Sequence, residues 1–151
     1  MTLARRAQGV QSAIRKFSIP VRVYYEDTDA GGIVYHATYL RFMERARTDF
    51  LRHLGFEHQR LAAEFGVHFV VTEMTVKYLK PALLDELLEA TAAVESVGRA
   101  RVVFVQTVER GGRALVRASV IAACLELGSM KPVPFPAPLR EKMQTPKMQT
   151  Q

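Results

Sequence analysis

Residues 37–54, ATYLRFMERARTDFLRHL, are the one long stretch with helical periodicity, and they limit what the rest of the chain can form. At 100° per residue, Tyr39, Leu40, Phe42, Met43, Ala46, Phe50, Leu51 and Leu54 share about half of the helical wheel. Arg41, Glu44, Arg45, Thr48, Asp49 and Arg52 fill the rest. An apolar arc that wide predicts a helix laid on a sheet. Gly55 stands where a helix C-terminus is expected. Arg47 breaks the pattern by projecting into the apolar arc. A buried charge needs a partner, and Glu44, three residues back, is the expected one.

The remainder reads mostly as β. Ser18 to Glu26 sets Val21, Val23 and Tyr25 against Arg22, Tyr24 and Glu26, a strand pattern whose Pro20 near the start suggests an edge or strand entry. Phe56 to Phe65 predicts a short helix or turn. Val67 to Lys80, Glu86 to Val97, Ala100 to Arg110 and Arg113 to Leu127 predict four more strands. Gly111-Gly112 is a strong hairpin signal. From Gly128 onward Pro132, Pro134, Pro136 and Pro138 predict no regular structure. The expected class is therefore α+β, with five antiparallel strands joined mostly by short turns and one long helix on one face. One helix cannot cover both faces and both edges of such a sheet, so association with a second copy is expected.

Composition narrows the function classes. A length of 151 residues fits one domain, expected over residues 17–140. Residues 1–16 read as a flexible basic arm and 141–151 as a low-complexity tail repeating KMQT. No apolar run approaches the roughly 18 residues of a membrane span, and no apolar segment follows the first arginines to make a secretory signal. The single cysteine, Cys124, fits a reducing compartment and a place in the core. A cytoplasmic location is the expectation. The net charge of +6 comes without a basic stripe or aromatic platforms, which argues against nucleic acid. It suits a phosphate-bearing small molecule or an acidic partner.

The chemistry concentrates in Asp27-Thr28-Asp29-Ala30-Gly31-Gly32, just before the helix. A calcium loop would match at Asp27, Asp29 and Gly32, but Gly31 and Thr38 stand where ligands are required. A phosphoryl-transfer D-x-D-x-[ST] motif would need a hydroxyl where Gly31 stands. Transition metals would want more His or Cys near His36. Acyl transfer to water needs a base, a group that polarises a carbonyl, and a slot for the acyl chain. Asp29 and the N–H groups around His36 supply the first two.

The run V-x-Y-x-x-T-D-x-x-G-x-V-Y-H-x-x-Y, followed by E-R-A-R on the helix, resembles the hotdog-fold acyl-CoA thioesterases. It is similar to the 4-hydroxybenzoyl-CoA thioesterase group, and most of all to the branch associated with the bacterial Tol-Pal cell-envelope system. The resemblance covers about Ile19 to Pro134. It implies a five-stranded antiparallel sheet wrapped around one long central helix, paired into homodimers or homotetramers. It implies Asp29 as the catalytic carboxylate and a backbone N–H near His36 as the group polarising the thioester oxygen, with the His36 side chain placing substrate or water. No metal and no bound cofactor are implied; coenzyme A is part of the substrate.

Other candidate residues follow. Asp27 is expected to shape the turn. Tyr35, Tyr39, Gly32 and Glu44 are candidates for the substrate pocket, the tyrosines through packing or as its wall. Lys77, Lys80, Arg99 and Arg101 are candidates for the coenzyme A phosphates, with Arg99 and Arg101 the strongest pair. The competing function is a scaffold whose basic arm, Arg5 to Lys16, holds an acyl carrier protein or a membrane surface.

Overall fold

The computed structural model describes residues 16–144. Strand β1 (Phe17–Arg22) leads through a short 3-10 turn, Tyr25–Asp27, to helix α1 (Thr38–His53). Helix α2 (His58–Phe65) precedes strands β2 (Val67–Tyr78), β3 (Leu87–Val97), β4 (Arg101–Arg110) and β5 (Arg113–Glu126). Helix α3 (Ala137–Gln144) closes the described chain. The arm reading for residues 1–16 falls, but for Lys16, outside the described residues, as do residues 145–151 of the expected tail. No helix among the described residues is long and apolar enough to cross a membrane.

The five strands form one antiparallel sheet in the order β1-β3-β4-β5-β2. Period-two alternation separates its faces. On β4, Val102, Phe104, Gln106 and Val108 are buried while Val103, Val105 and Thr107 are half-buried. Helix α1 lies over β1, β3 and β4, presenting Phe42, Met43, Ala46, Phe50 and Leu51 to the buried face. Helix α2 packs on β2.

Arg47 finds a partner other than the expected one. Its Nη1 donates to Gln106 Oε1 at 2.9 Å, and it forms no ion pair with Glu44 among the described residues. Gln106 is buried in the centre of the sheet and donates its Nε2 to both Met43 O and Thr91 O at 2.9 Å. One amide thus ties helix, sheet and half-buried guanidinium together. Burial lowers the Arg47 pKa, and the charge of Glu44 opposes that shift.

Two other expectations fail. The first strand ends at Arg22, because Tyr25–Asp27 turn to form a cap. The short turns expected between most strands join β3 to β4 and β4 to β5. The segment after β2 contains Pro81 and crosses the molecule, which leaves β2 on the far edge beside β5. The prolines after Gly128 do not prevent α3. Pro138 sits in its first turn, where a missing N–H costs nothing, and Leu139 and Met143 are buried in the core. Folded structure therefore continues past residue 140.

Candidate active site

Asp27, Thr28, Asp29 and Gly32 each make hydrogen bonds in the turn before α1. The Asp27 Oδ2 accepts from the Tyr24 N–H at 2.8 Å, and the Asp27 carbonyl accepts from the Tyr35 N–H at 2.9 Å. Asp27 is the turn residue expected. Beyond it, Thr28 pairs with Val34, and the Asp29 N–H donates to Ile33 O at 2.8 Å. This small hairpin is closed by Gly32 N–H donating to Asp29 O at 3.1 Å. Gly32 has φ +81°, a conformation that side chains disfavour. A Cβ on Gly31 would lie 3.2 Å from Asp29 Oδ1. The two glycines therefore set the turn and clear room for a carboxylate.

Asp29 itself is exposed. Its Oδ1 accepts from the Gly31 N–H at 2.8 Å, and its Oδ2 has no partner among the described residues. Val34 N–H donates to Ala82 O at 2.9 Å, and Ile33 bridges to Leu83. The crossing segment after β2 thus braces the hairpin.

His36 and Ala37 lead into α1. Ala37 occupies the cap position and offers no capping side chain. Thr38 N–H donates to Tyr35 O and Leu40 N–H to Ala37 O. The N–H groups of His36 and Ala37 have no partner among the described residues, at the positive end of the helix dipole. The His36 ring is exposed and packs at a tilt against Tyr35, with ring centres 4.4 Å apart. The Tyr78 hydroxyl at the end of β2 donates to the His36 carbonyl at 2.8 Å. Such a surface offers a carboxylate with one free oxygen, two unpaired donors, and exposed apolar groups at Ile33, Tyr35, Tyr78, Leu79 and Leu83.

Other candidates fall in different places. Tyr39 is only 3% exposed. Its hydroxyl accepts from the Ala82 N–H at 3.0 Å, so it packs rather than lines a pocket. Burial raises its pKa, opposed by that hydrogen bond. Glu44 is exposed and joins Asp27, Arg45, Arg22 and Glu26 in a groove of about 740 Å³ between β1 and α1, whose lining excludes Asp29 and His36. Lys77 and Lys80 flank Tyr78 at the Asp29 end of the sheet, and Arg117 stands opposite Lys77. Arg99 and Arg101 lie at the opposite end. Arg101 pairs with Ala123, seven residues along β5 from Val116, the partner of Tyr78. That is about 23 Å of strand. Tyr78 and Ala37 escaped sequence reasoning. The first reads as an ordinary strand residue, and the second has no side chain to notice.

A family model described as the thioesterase superfamily matches residues 31–117. The chain is 52% identical over 120 residues to the acyl-CoA thioesterase YbgC of Haemophilus influenzae, covering 80% of this chain and 88% of the relative. It is 49% identical over 121 residues to the acyl-CoA thioester hydrolase YbgC of Escherichia coli O6:H1, covering 80% and 90%. The crystal structure of a probable thioesterase from Bartonella henselae superposes with a TM-score of 0.78 at 37% identity, over 81% of this chain and all of that one. The hairpin with its exposed carboxylate, the bare helix start and these matches lead to one conclusion: the chain belongs to the thioesterase superfamily and has its hotdog fold.

Proposed function

We propose that the chain hydrolyses acyl-CoA thioesters to a free acid and coenzyme A, as the names of its relatives say of them. The observation that carries this reading is an Asp29 carboxylate with one oxygen unengaged, on the hairpin that feeds the unpaired His36 and Ala37 N–H groups. Asp29 takes a proton from water as the water oxygen attacks the thioester carbon. The oxyanion that develops is held by the N–H groups at the helix start. The tetrahedral centre then collapses, the C–S bond breaks, and the departing thiolate receives the proton. Only water, one carboxylate and backbone donors are needed, with no cofactor. In the alternative route Asp29 attacks directly and forms a mixed anhydride. A cytoplasmic location is part of the same proposal and rests on the single cysteine.

A second copy belongs to this reading. Strand β2 is a 12-residue edge, a surface prone to pair with another strand. Two β2 strands paired antiparallel about a two-fold axis would reverse the ends of the sheet. The Arg99 and Arg101 end of one copy would then face the Asp29 end of the other, within reach of the phosphates of a bound coenzyme A.

The test is Asp29→Asn. The amide keeps the size of the side chain and an acceptor for Gly31 N–H, and loses the charge and the basicity. We expect a folded protein of similar KM, with kcat lower by roughly two orders of magnitude or more. Asp27→Asn preserves an acceptor for Tyr24 N–H and should cost far less. Activity within about tenfold of the parent in Asp29→Asn, short of the usual loss for a general base, would exclude the mechanism. Label in Asp29 after single-turnover hydrolysis in ¹⁸O water would establish the anhydride route, with water attacking the Asp29 carbonyl.

A further inference from the structure

We infer that Tyr78 is a positioning residue for the reaction, acting through the His36–Ala37 peptide. This inference rests on the reading above and adds a residue from another element of the fold. The Tyr78 hydroxyl donates to the His36 carbonyl at 2.8 Å. In a trans peptide, C=O and N–H point in opposite directions, and the described chain has no cis bond. Holding the His36 carbonyl toward β2 therefore aims the Ala37 N–H away from it. A carbonyl that accepts a hydrogen bond also polarises its peptide, which makes the N–H at the other end a better donor.

No other feature of the turn does this work. Ala37 lacks a capping side chain, and the next hydrogen bonds, Thr38 N–H to Tyr35 O and Leu40 N–H to Ala37 O, leave the His36 carbonyl free for Tyr78. The Tyr78 ring is held in turn by edge contacts with His36 and Tyr39, at 6.4 and 5.8 Å between ring centres. Tyr39 is fixed through Ala82, whose carbonyl also accepts from Val34 in the Asp29 hairpin. The hydroxyl is thus set by the same framework that sets the carboxylate.

The experiment uses Tyr78→Phe, which keeps the ring and removes only the hydroxyl. It is read first as kinetics. We expect kcat to fall about tenfold, the order of one lost hydrogen bond, with KM unchanged and the protein still folded and oligomeric. It is read second by infrared difference spectroscopy in the Asp29→Asn background, with an acyl-CoA labelled with ¹³C at the thioester carbonyl. In the Asp29→Asn parent the bound carbonyl stretch should shift to lower frequency than in free substrate. In Asp29→Asn with Tyr78→Phe that shift should shrink clearly. A full shift in the double variant, with unchanged kcat in Tyr78→Phe, overturns the role of Tyr78 while leaving the proposed function intact. No shift in the Asp29→Asn parent overturns the polarised carbonyl itself, and this inference with it.

Discussion

Asp27 and Asp29 differ in what their carboxylates already hold. Asp27 is committed to the Tyr24 N–H, whereas Asp29 keeps an oxygen open to solvent. Two residues of one type, one residue apart, are sorted by hydrogen bonding alone. Cys124 shows the same sorting by burial. It is fully buried, and its Sγ faces Pro134 O at 3.8 Å. Burial pushes its thiol pKa up from about 9 to about 11. The folded state therefore holds the proton at pH values where the unfolded chain has lost it. This contribution to stability is complete below about pH 9 and is lost as pH climbs to about 11. The native protein should not react with a thiol reagent such as DTNB at pH 8, and should react fully once unfolded in denaturant. Cys124→Ala should flatten the fall in unfolding midpoint between pH 9 and 11. Rapid native labelling at pH 8 would show that the site opens far more readily than its packing implies.

At the scale of elements, the bond between α1 and the sheet passes through Gln106. Replacing it with Leu strands Arg47 Nη1 and takes the side-chain donor from Thr91 O, while Met43 O keeps its bond within the helix. Unsatisfied buried groups cost about 1–3 kcal/mol each, so Gln106→Leu should lower the unfolding free energy in urea by about 2 kcal/mol or more. Adding Arg47→Met removes the orphaned charge and should restore part of the loss. A single variant as stable as the parent would show that water satisfies these groups instead. The same element explains how much of the fold was legible. Helix α1 and the strands were readable because their apolar residues recur at periods of 3.6 and 2, which depend only on local geometry. The turn before the helix was readable from Gly31 and Gly32, since glycine suits a positive φ such as that at Gly32, but the pairing of Thr28 with Val34 was not. Gln106 was not readable as a partner for Arg47, since the two are 59 residues apart and meet only through strand register. Tyr78 was hidden for the same reason, meeting His36 across 42 residues. The position of β2 depended on a crossing segment that composition does not distinguish from a long turn.

At the scale of the whole molecule, β2 is the longer of the two edge strands, β1 being the other. We expect light scattering at micromolar concentration to give a dimer or a tetramer, and a fully active 17 kDa monomer would exclude this. Shared sites can be tested by mixing. Arg99→Ala with Arg101→Ala should raise KM more than it lowers kcat, because phosphates far from the thioester bind ground and transition states alike. The effect should shrink at high salt. Reassembling that protein with Asp29→Asn creates sites that pair an intact Asp29 with intact arginines from the other copy. Recovery of parental KM in the mixture supports sites built across two subunits, and no recovery confines each site to one chain. The edge position of β2 also bears on synthesis. Its one partner within the chain is β5, complete only at Glu126, some 48 residues after Tyr78. At about 5–20 residues per second, a ribosome takes roughly 2–10 s to cover that distance. Throughout that interval β2 lacks a neighbour on either side, and the strand that carries Tyr78 is among the last to be secured. A nascent chain halted in the Gly111-Gly112 turn would expose an unpaired strand with Val70, Val71 and Val76 open to whatever is near, which is where a chaperone would be needed.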